Sequence, residues 1–182
     1  MRGLLAEYGA EEVKALGDAL MLRVRAPDRA VELGLRLVGE LGARSGFPVI
    51  RVGMHTGPAV EREGDWFGAT VNLAARVSAL SGGGEVLITE AVRKAAGALP
   101  GIELRAHGVE QLRNVREPVQ LYAALREGSV ARVEPHIDPV CRMAVDPESS
   151  AGWLGFAGIR HHFCSLACAR AFADSPSAYI SL

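Results

Sequence analysis

The side chains able to do chemistry fall into two sets that do not overlap along the chain. All three cysteines lie late, at Cys141, Cys164 and Cys168, in the pattern Cys-x22-Cys-x3-Cys. Cys164 and Cys168 fall where an extended run gives way to a helical one, so their thiolates stand one helical turn apart, and Cys141 returns from a loop. Such a set suits a soft divalent or monovalent metal, Zn²⁺ or Cu⁺. A closed tetrahedral Zn²⁺ needs a fourth donor. His162 is the candidate, because in a strand it faces the same side as Cys164. The competing reading is three unliganded cysteines in a small apolar knot. The second set lies early. Lys14 interrupts a mostly apolar strand, Asp18 follows Gly17 on a hairpin tip where a carboxylate could reach a metal, and Asp65 precedes Trp66-Phe67-Gly68. Asn72 and Arg76 are four apart, so on a helix they share one face. Each of these also has an ordinary structural reading: a turn, a strand-edge lysine, a solvated helix face.

These groups must be positioned by the elements around them. Residues 12–16 and 19–24 read as two short strands joined by the Gly17-Asp18 turn. Pro27-Asp28 opens a helix with Ala30, Val31, Leu33, Leu35, Leu37, Val38 and Leu41 on its apolar side. A strand over 48–55 follows. A second helix begins after Gly68, with Val71, Ala74, Ala75 and Val77 at helical spacing, and stops at Ser81-Gly82-Gly83-Gly84. A short buried strand at 85–88 leads to a helix capped by Thr89 and running to Ala96. Late strands are expected at 102–105 and 119–125. Strands and helices interleave, which is α/β or α+β and not a bundle. Residues 126–136 have no apolar period and read as a linker. The remaining 137–182 is too short to bury much core, so it needs a staple, and the cysteines supply one.

Composition removes other classes. With 49% apolar and 23% charged residues in 182, the chain is globular. A net charge of −1 gives no basic field for nucleic acid. No apolar run approaches a membrane span, and the N-terminus lacks the apolar length of a secretory signal. The basic residues are 18 Arg against only two Lys, a genomic GC bias that draws attention to Lys14. An odd cysteine count confined to one end is no disulfide framework, so a reducing cytoplasm is expected.

Three stretches of the early region resemble the class III adenylate/guanylate cyclase catalytic domain: Val13-Lys14-Ala15-Leu16-Gly17-Asp18-Ala19-Leu20-Met21, Arg51-Val52-Gly53-Met54-His55-Thr56-Gly57, and the long Gly64-Asp65-Trp66-Phe67-Gly68-Ala69-Thr70-Val71-Asn72-Leu73-Ala74-Ala75-Arg76. Glu117-Pro118-Val119-Gln120-Leu121-Tyr122 looks like the family's last strand. The likeness covers residues 1 to about 125. It implies an α+β fold built on a ferredoxin-like sheet, and conversion of a nucleoside triphosphate to the 3′,5′-cyclic monophosphate and pyrophosphate with two divalent ions, Mg²⁺ or Mn²⁺. Asp18 matches the second of the family's two metal-binding aspartates. Lys14 and Asp65 match the pair that reads the base, and they fit the adenine of ATP: Lys donates to a ring nitrogen and Asp accepts from the exocyclic amine, whereas guanine mismatches both. Asn72 matches the residue that orients the ribose, and Arg76 the one that stabilises charge on the transferring phosphate.

The same resemblance implies a gap. The family's first metal aspartate lies on a strand well upstream of the Gly-Asp hairpin, yet only 17 residues precede Asp18. The first strand, first metal ligand and first helix are therefore expected to be missing. Family sites form between two protomers, one giving both aspartates, the other giving Lys, Asp, Asn and Arg. This chain is expected to be weak or inactive alone, and to act as a homodimer or as a heterodimer with an intact cyclase. The late region resembles the YHS domain, through Asp138-Pro139-Val140-Cys141, Phe163-Cys164-Ser165, Cys168, and the closing Phe172, Pro176 and Tyr179, with Arg142 where Gly is usual. That resemblance implies a small metal-handling β/α module.

Overall fold

A computed structural model of the protein describes residues 2–41, 49–128 and 136–180. It is the expected α+β fold. A short helix α1 (Arg2–Glu7) precedes a hairpin of β1 (Ala10–Leu16) and β2 (Ala19–Val24). Leu16 pairs with Ala19 across the Gly17-Asp18 turn, and Gly17 takes φ +65°, a left-handed conformation that costs glycine nothing. A bulge between Glu12 and Lys14 resets the in-out alternation of β1 just before Lys14.

Helix α2 (Pro27–Arg36) starts with Pro27 in its first turn and Asp28 beside its positive dipole end, and runs on as one π turn over Leu37–Leu41. It buries two faces. Val31, Leu35 and Val38 pack with Val52, Met54, Val86, Ile88 and Val92. Leu33 and Leu37 pack with Leu5, Tyr8, Leu22 and Val24 of the hairpin side. α2 is thus the bridge between the hairpin and the main sheet.

That sheet has the order β3-β6-β8-β7, built from β3 (Val52–Met54), β6 (Val86–Thr89), β8 (Val119–Arg126) and β7 (Ile102–Glu110). β3 and β6 run parallel; the other pairs are antiparallel. β6 is buried throughout: Val86 and Ile88 face α2 and α4 (Glu90–Ala96), while Leu87 faces Val77 of α3 (Ala69–Leu80). The β1–β2 hairpin forms a separate two-stranded sheet, as does a second hairpin of β4 (Val60–Arg62) and β5 (Asp65–Phe67). Gly53 seats α3 on β3, since a methyl there would overlap the backbone of Val77 and Ser78.

The strand expected over 48–55 is only Val52–Met54, and Pro48 lies outside the described residues. The late strand expected over 102–105 extends to Glu110. Of the linker expected over 126–136, Arg126 still belongs to β8 and His136 already opens the next strand, and 129–135 lies outside the described residues. In the last stretch β9 (His136–Ile137) pairs with β10 (Ala144–Val145), and β11 (Gly152–Phe156) with β12 (Ile159–Phe163), ahead of α5 (Leu166–Asp174). Fully buried Phe163 and Phe172 form its centre, with Phe156, His161 and Tyr179 around the Phe172 ring. No helix among the described residues is long and apolar enough to cross a membrane.

Candidate functional site

The β1–β2 and β4–β5 hairpins bring two early candidates together across 51 residues of sequence. Lys14 Nζ donates to Asp65 Oδ2 at 2.6 Å, and Asp65 Oδ1 accepts the Trp66 amide at 2.7 Å. Both side chains are about one-third exposed. The Lys14 hydrogen bond, with help from the Trp66 amide, holds the Asp65 carboxyl below its ordinary range against the opposing effect of burial. Lys14 Nζ also lies 5.5 Å from the Phe67 ring centre, and the Arg23 guanidinium lies 4.4 Å from that of Trp66. Each member of the pair is therefore neutralised by the other, and an open groove lined by Val60, Arg62, Phe67 and Gly68 lies alongside.

Asp18 sits exposed on the turn four residues beyond Lys14. Asn72 is exposed and Arg76 half-buried, both on α3. Among the described residues, no hydrogen bond or ion pair links Asn72 or Arg76 to Lys14, Asp18 or Asp65, and Arg76 has no ion-pair partner. Asp18 offers one hard oxygen donor, of the kind Mg²⁺ or Mn²⁺ takes. Sequence reasoning missed the β4–β5 hairpin that carries Asp65. Its signal was Glu63-Gly64, both at positive φ, between Arg62 and Asp65. Thr89 stands at the start of α4, but its hydroxyl makes no capping bond; it meets His55 Nδ1 at 2.9 Å. Burial holds the His55 imidazole below its ordinary pKa.

The cysteines converge. Cys141 Sγ lies 3.4 Å from Cys164 Sγ, which lies 3.8 Å from Cys168 Sγ. The fourth group among them is Asp138, and the four ligand atoms all fall within 4.8 Å of one another. Asp138 is fully buried. Its Oδ1 accepts the amides of Val140 at 2.9 Å and Cys141 at 3.4 Å, and its Oδ2 accepts the amide of Cys164 at 2.9 Å. Its own amide and carbonyl close the same loop through Met143 and Arg142. Burial opposes ionisation of this carboxyl, but the donated amides outweigh it and set its pKa below the ordinary value. Loss of solvent around the sulfur, together with the Asp138 carboxylate, pushes the Cys164 thiol up to about 12.

His162 stands outside this group of four. It is buried, its Nδ1 lies 3.3 Å from Ser150 Oγ, and its ring packs on His136 at 4.7 Å between centres. Burial, then the positive neighbours His136 and Arg160, hold it below its ordinary pKa. The sequence signal for Asp138 was the Asp-Pro at the head of the cysteine loop, a residue type that bonds the backbone two positions on. The donor set of three thiols suits a soft ion.

Residues 1–124 match the adenylate and guanylate cyclase catalytic domain, and residues 136–182 match the YHS domain. A pH-sensitive adenylate cyclase of Mycobacterium tuberculosis is 38% identical over 117 residues, covering 63% of this chain and 30% of that protein. An adenylate cyclase of Streptomyces griseus is 33% identical over 147 residues, covering 79% of this chain and 36% of that protein. The chain thus spans about a third of the length of these relatives. Among solved structures, adenylate cyclases of Trypanosoma brucei in their monomeric state superpose with a TM-score of 0.64 at 26% identity, over 70% of this chain and 75% of that one. The motifs around Lys14, Asp18, Asp65, Asn72 and Arg76 and this fold have one common source: the chain belongs to the family of the adenylate and guanylate cyclase catalytic domain.

Proposed function

We propose that residues 1–124 form the nucleotide-reading half of an adenylate cyclase site, which converts ATP to cyclic AMP and pyrophosphate together with a partner protomer. The observation that carries this reading is the Lys14–Asp65 pair, a donor and an acceptor held at 2.6 Å beside the Asp18 turn. Adenine offers a ring-nitrogen acceptor to Lys14 and an amine donor to Asp65, so each charged group exchanges one partner for another and neither is left bare. Guanine offers the reverse and leaves both mismatched. Asn72 orients the ribose and Arg76, without an ion-pair partner among the described residues, faces the phosphate charge. Asp18 would hold Mg²⁺ or Mn²⁺, which when bound supplies charge neutralisation at the triphosphate and a more acidic attacking hydroxyl.

The partner is a second copy or an intact cyclase. Exposed Leu16 and Leu20 on one hairpin, and Val60 and Phe67 on the other, give it apolar surface to cover. The test is complementation. This chain, mixed with an intact family member whose own Asn and Arg are mutated, restores cyclic AMP formation; no rescue at any ratio, with both proteins folded, rejects the reading.

A second reading, a catalytically incomplete or regulatory subunit, draws on two observations. Among the described residues no group of three metal-ligating side chains gathers around Asp18. The hairpin that carries Asp18 also pairs with no strand of the main sheet. On this reading the chain alone, with ATP and Mn²⁺, forms cyclic AMP at background; robust turnover excludes it.

The late module is proposed as a separate domain joined through 126–136. It would bind one soft ion, Zn²⁺ or Cu⁺, through Cys141, Cys164 and Cys168, with Asp138 or His162 completing the set. An odd cysteine count confined to one end of the chain fits a reducing, cytoplasmic setting. Metal analysis of the full chain purified under reducing conditions tests this, with about one ion per chain expected and none, together with no Zn²⁺ effect on melting, rejecting it.

A further inference from the structure

We propose that Cys141 and Cys164 are an oxidation site, a dithiol that a hydroperoxide closes to a disulfide while Cys168 stays a thiol. The two sulfurs lie 3.4 Å apart and both residues are exposed. One buried carboxylate sets this spacing from both sides, because Asp138 accepts the Cys141 amide on one oxygen and the Cys164 amide on the other. Cys168 is placed differently. It is half-buried, its sulfur is 3.8 Å from Cys164, and its amide is committed to the Ser165 hydroxyl that caps α5. A Cys164–Cys168 bridge would pull against that cap.

The chemistry closes in two steps. The sulfur of Cys141, exposed on its loop, attacks the peroxide: an S–O bond forms, the O–O bond breaks, and the distal oxygen leaves as water after taking a proton. The sulfur of Cys164 then attacks the sulfenic sulfur while its own proton passes to the departing hydroxyl: an S–S bond forms, the S–H and S–O bonds break, and a second water leaves. Two thiols and one peroxide give one disulfide and two waters. The nearness of the second sulfur makes this step intramolecular. The proposal stands on the sulfur geometry and does not need the metal reading. It does add to that reading, because a disulfide consumes two of the three thiolates a soft ion would use.

The experiment uses the full chain, reduced, stripped of metal with a chelator and treated with one equivalent of hydrogen peroxide. Intact mass falls by two hydrogens, two of the three thiols disappear, and a proteolytic peptide joins Cys141 to Cys164. Cys168→Ser behaves the same way, and Cys141→Ser slows thiol loss by about tenfold or more. Stable addition of oxygen to the sulfurs overturns the proposal, as does a Cys164–Cys168 link, a disulfide between chains, or oxidation of wild type no faster than of Cys141→Ser. Because the metal is removed first, a chain that binds no ion still gives a clear result.

Discussion

Lys14 and Asp65 meet across two hairpins and neutralise each other, whereas Cys141 and Cys164 are gathered by a third party, the buried carboxylate of Asp138, and Cys168 is set beside them by the Ser165 cap of α5. In the first case the functional groups are themselves the contact, and each is partly open to solvent. In the second the organising group is fully buried and the reactive groups are its dependents. The two arrangements therefore fail differently. On the proposed function, a change at the early pair alters what the site recognises and leaves the fold standing. A change at Asp138 removes the frame on which the late site is built.

The largest expected effect lies on the early side but away from the pair. Arg76→Ala, assayed by complementation, should lower cyclic AMP formation by about 10²–10³-fold, the scale of losing one donor to developing charge. A retained rate would remove Arg76 from the proposed chemistry. Next comes Asp138→Ala, which strands amides of Val140, Cys141 and Cys164 and should cost about 3 kcal/mol in the unfolding of the late module, with loss of metal uptake. Unchanged unfolding would show that the carboxylate is not the frame. Gly53→Ala forces α3 off β3 and should cost about 1–3 kcal/mol; if Asn72 and Arg76 depend on that seating, complementation falls further than the stability loss explains. The smallest effect belongs to the half-buried pair of Lys14 and Asp65. The Asp65 pKa is depressed in the folded state, so its contribution to stability is complete above the ordinary carboxylate range and disappears as pH falls through the folded value. Lys14→Met should flatten that acid-side slope slightly in a pH series of melting curves, while changing the choice between ATP and GTP much more.

Much of this was legible in the sequence, for reasons that also explain the rest. The Gly17-Asp18 turn declared the first hairpin, since few residue pairs make a two-residue turn. The apolar spacing of Val31, Leu35 and Val38 declared α2, but it did not say that Leu33 and Leu37 would serve a second core. The β4–β5 hairpin was missed because its strands have three residues each, too few for a period to show. The approach of Lys14 to Asp65 depends on a one-residue bulge, and the motif alone could only place them in one site. At the late site the thiols were evident from spacing. The fourth position was assigned to His162 by strand alternation, but the nearest carboxylate comes from a loop, where alternation has no force. The Thr89 cap was read from residue type, and a neighbour distant in sequence, His55, took the hydroxyl.

The self-neutralised state of Lys14 and Asp65 also fixes how the proposed site should respond to ionic strength. Exchanging one salt bridge for contacts to a neutral base moves no net charge, so added salt has little to screen at that end. Arg76, with no internal counter-ion among the described residues, meets an anion that salt does screen. Raising potassium chloride in the complementation assay should therefore increase the KM for ATP while leaving the preference for ATP over GTP nearly constant. Selectivity that fell together with affinity would mean that the pair opens into free charges before the base arrives.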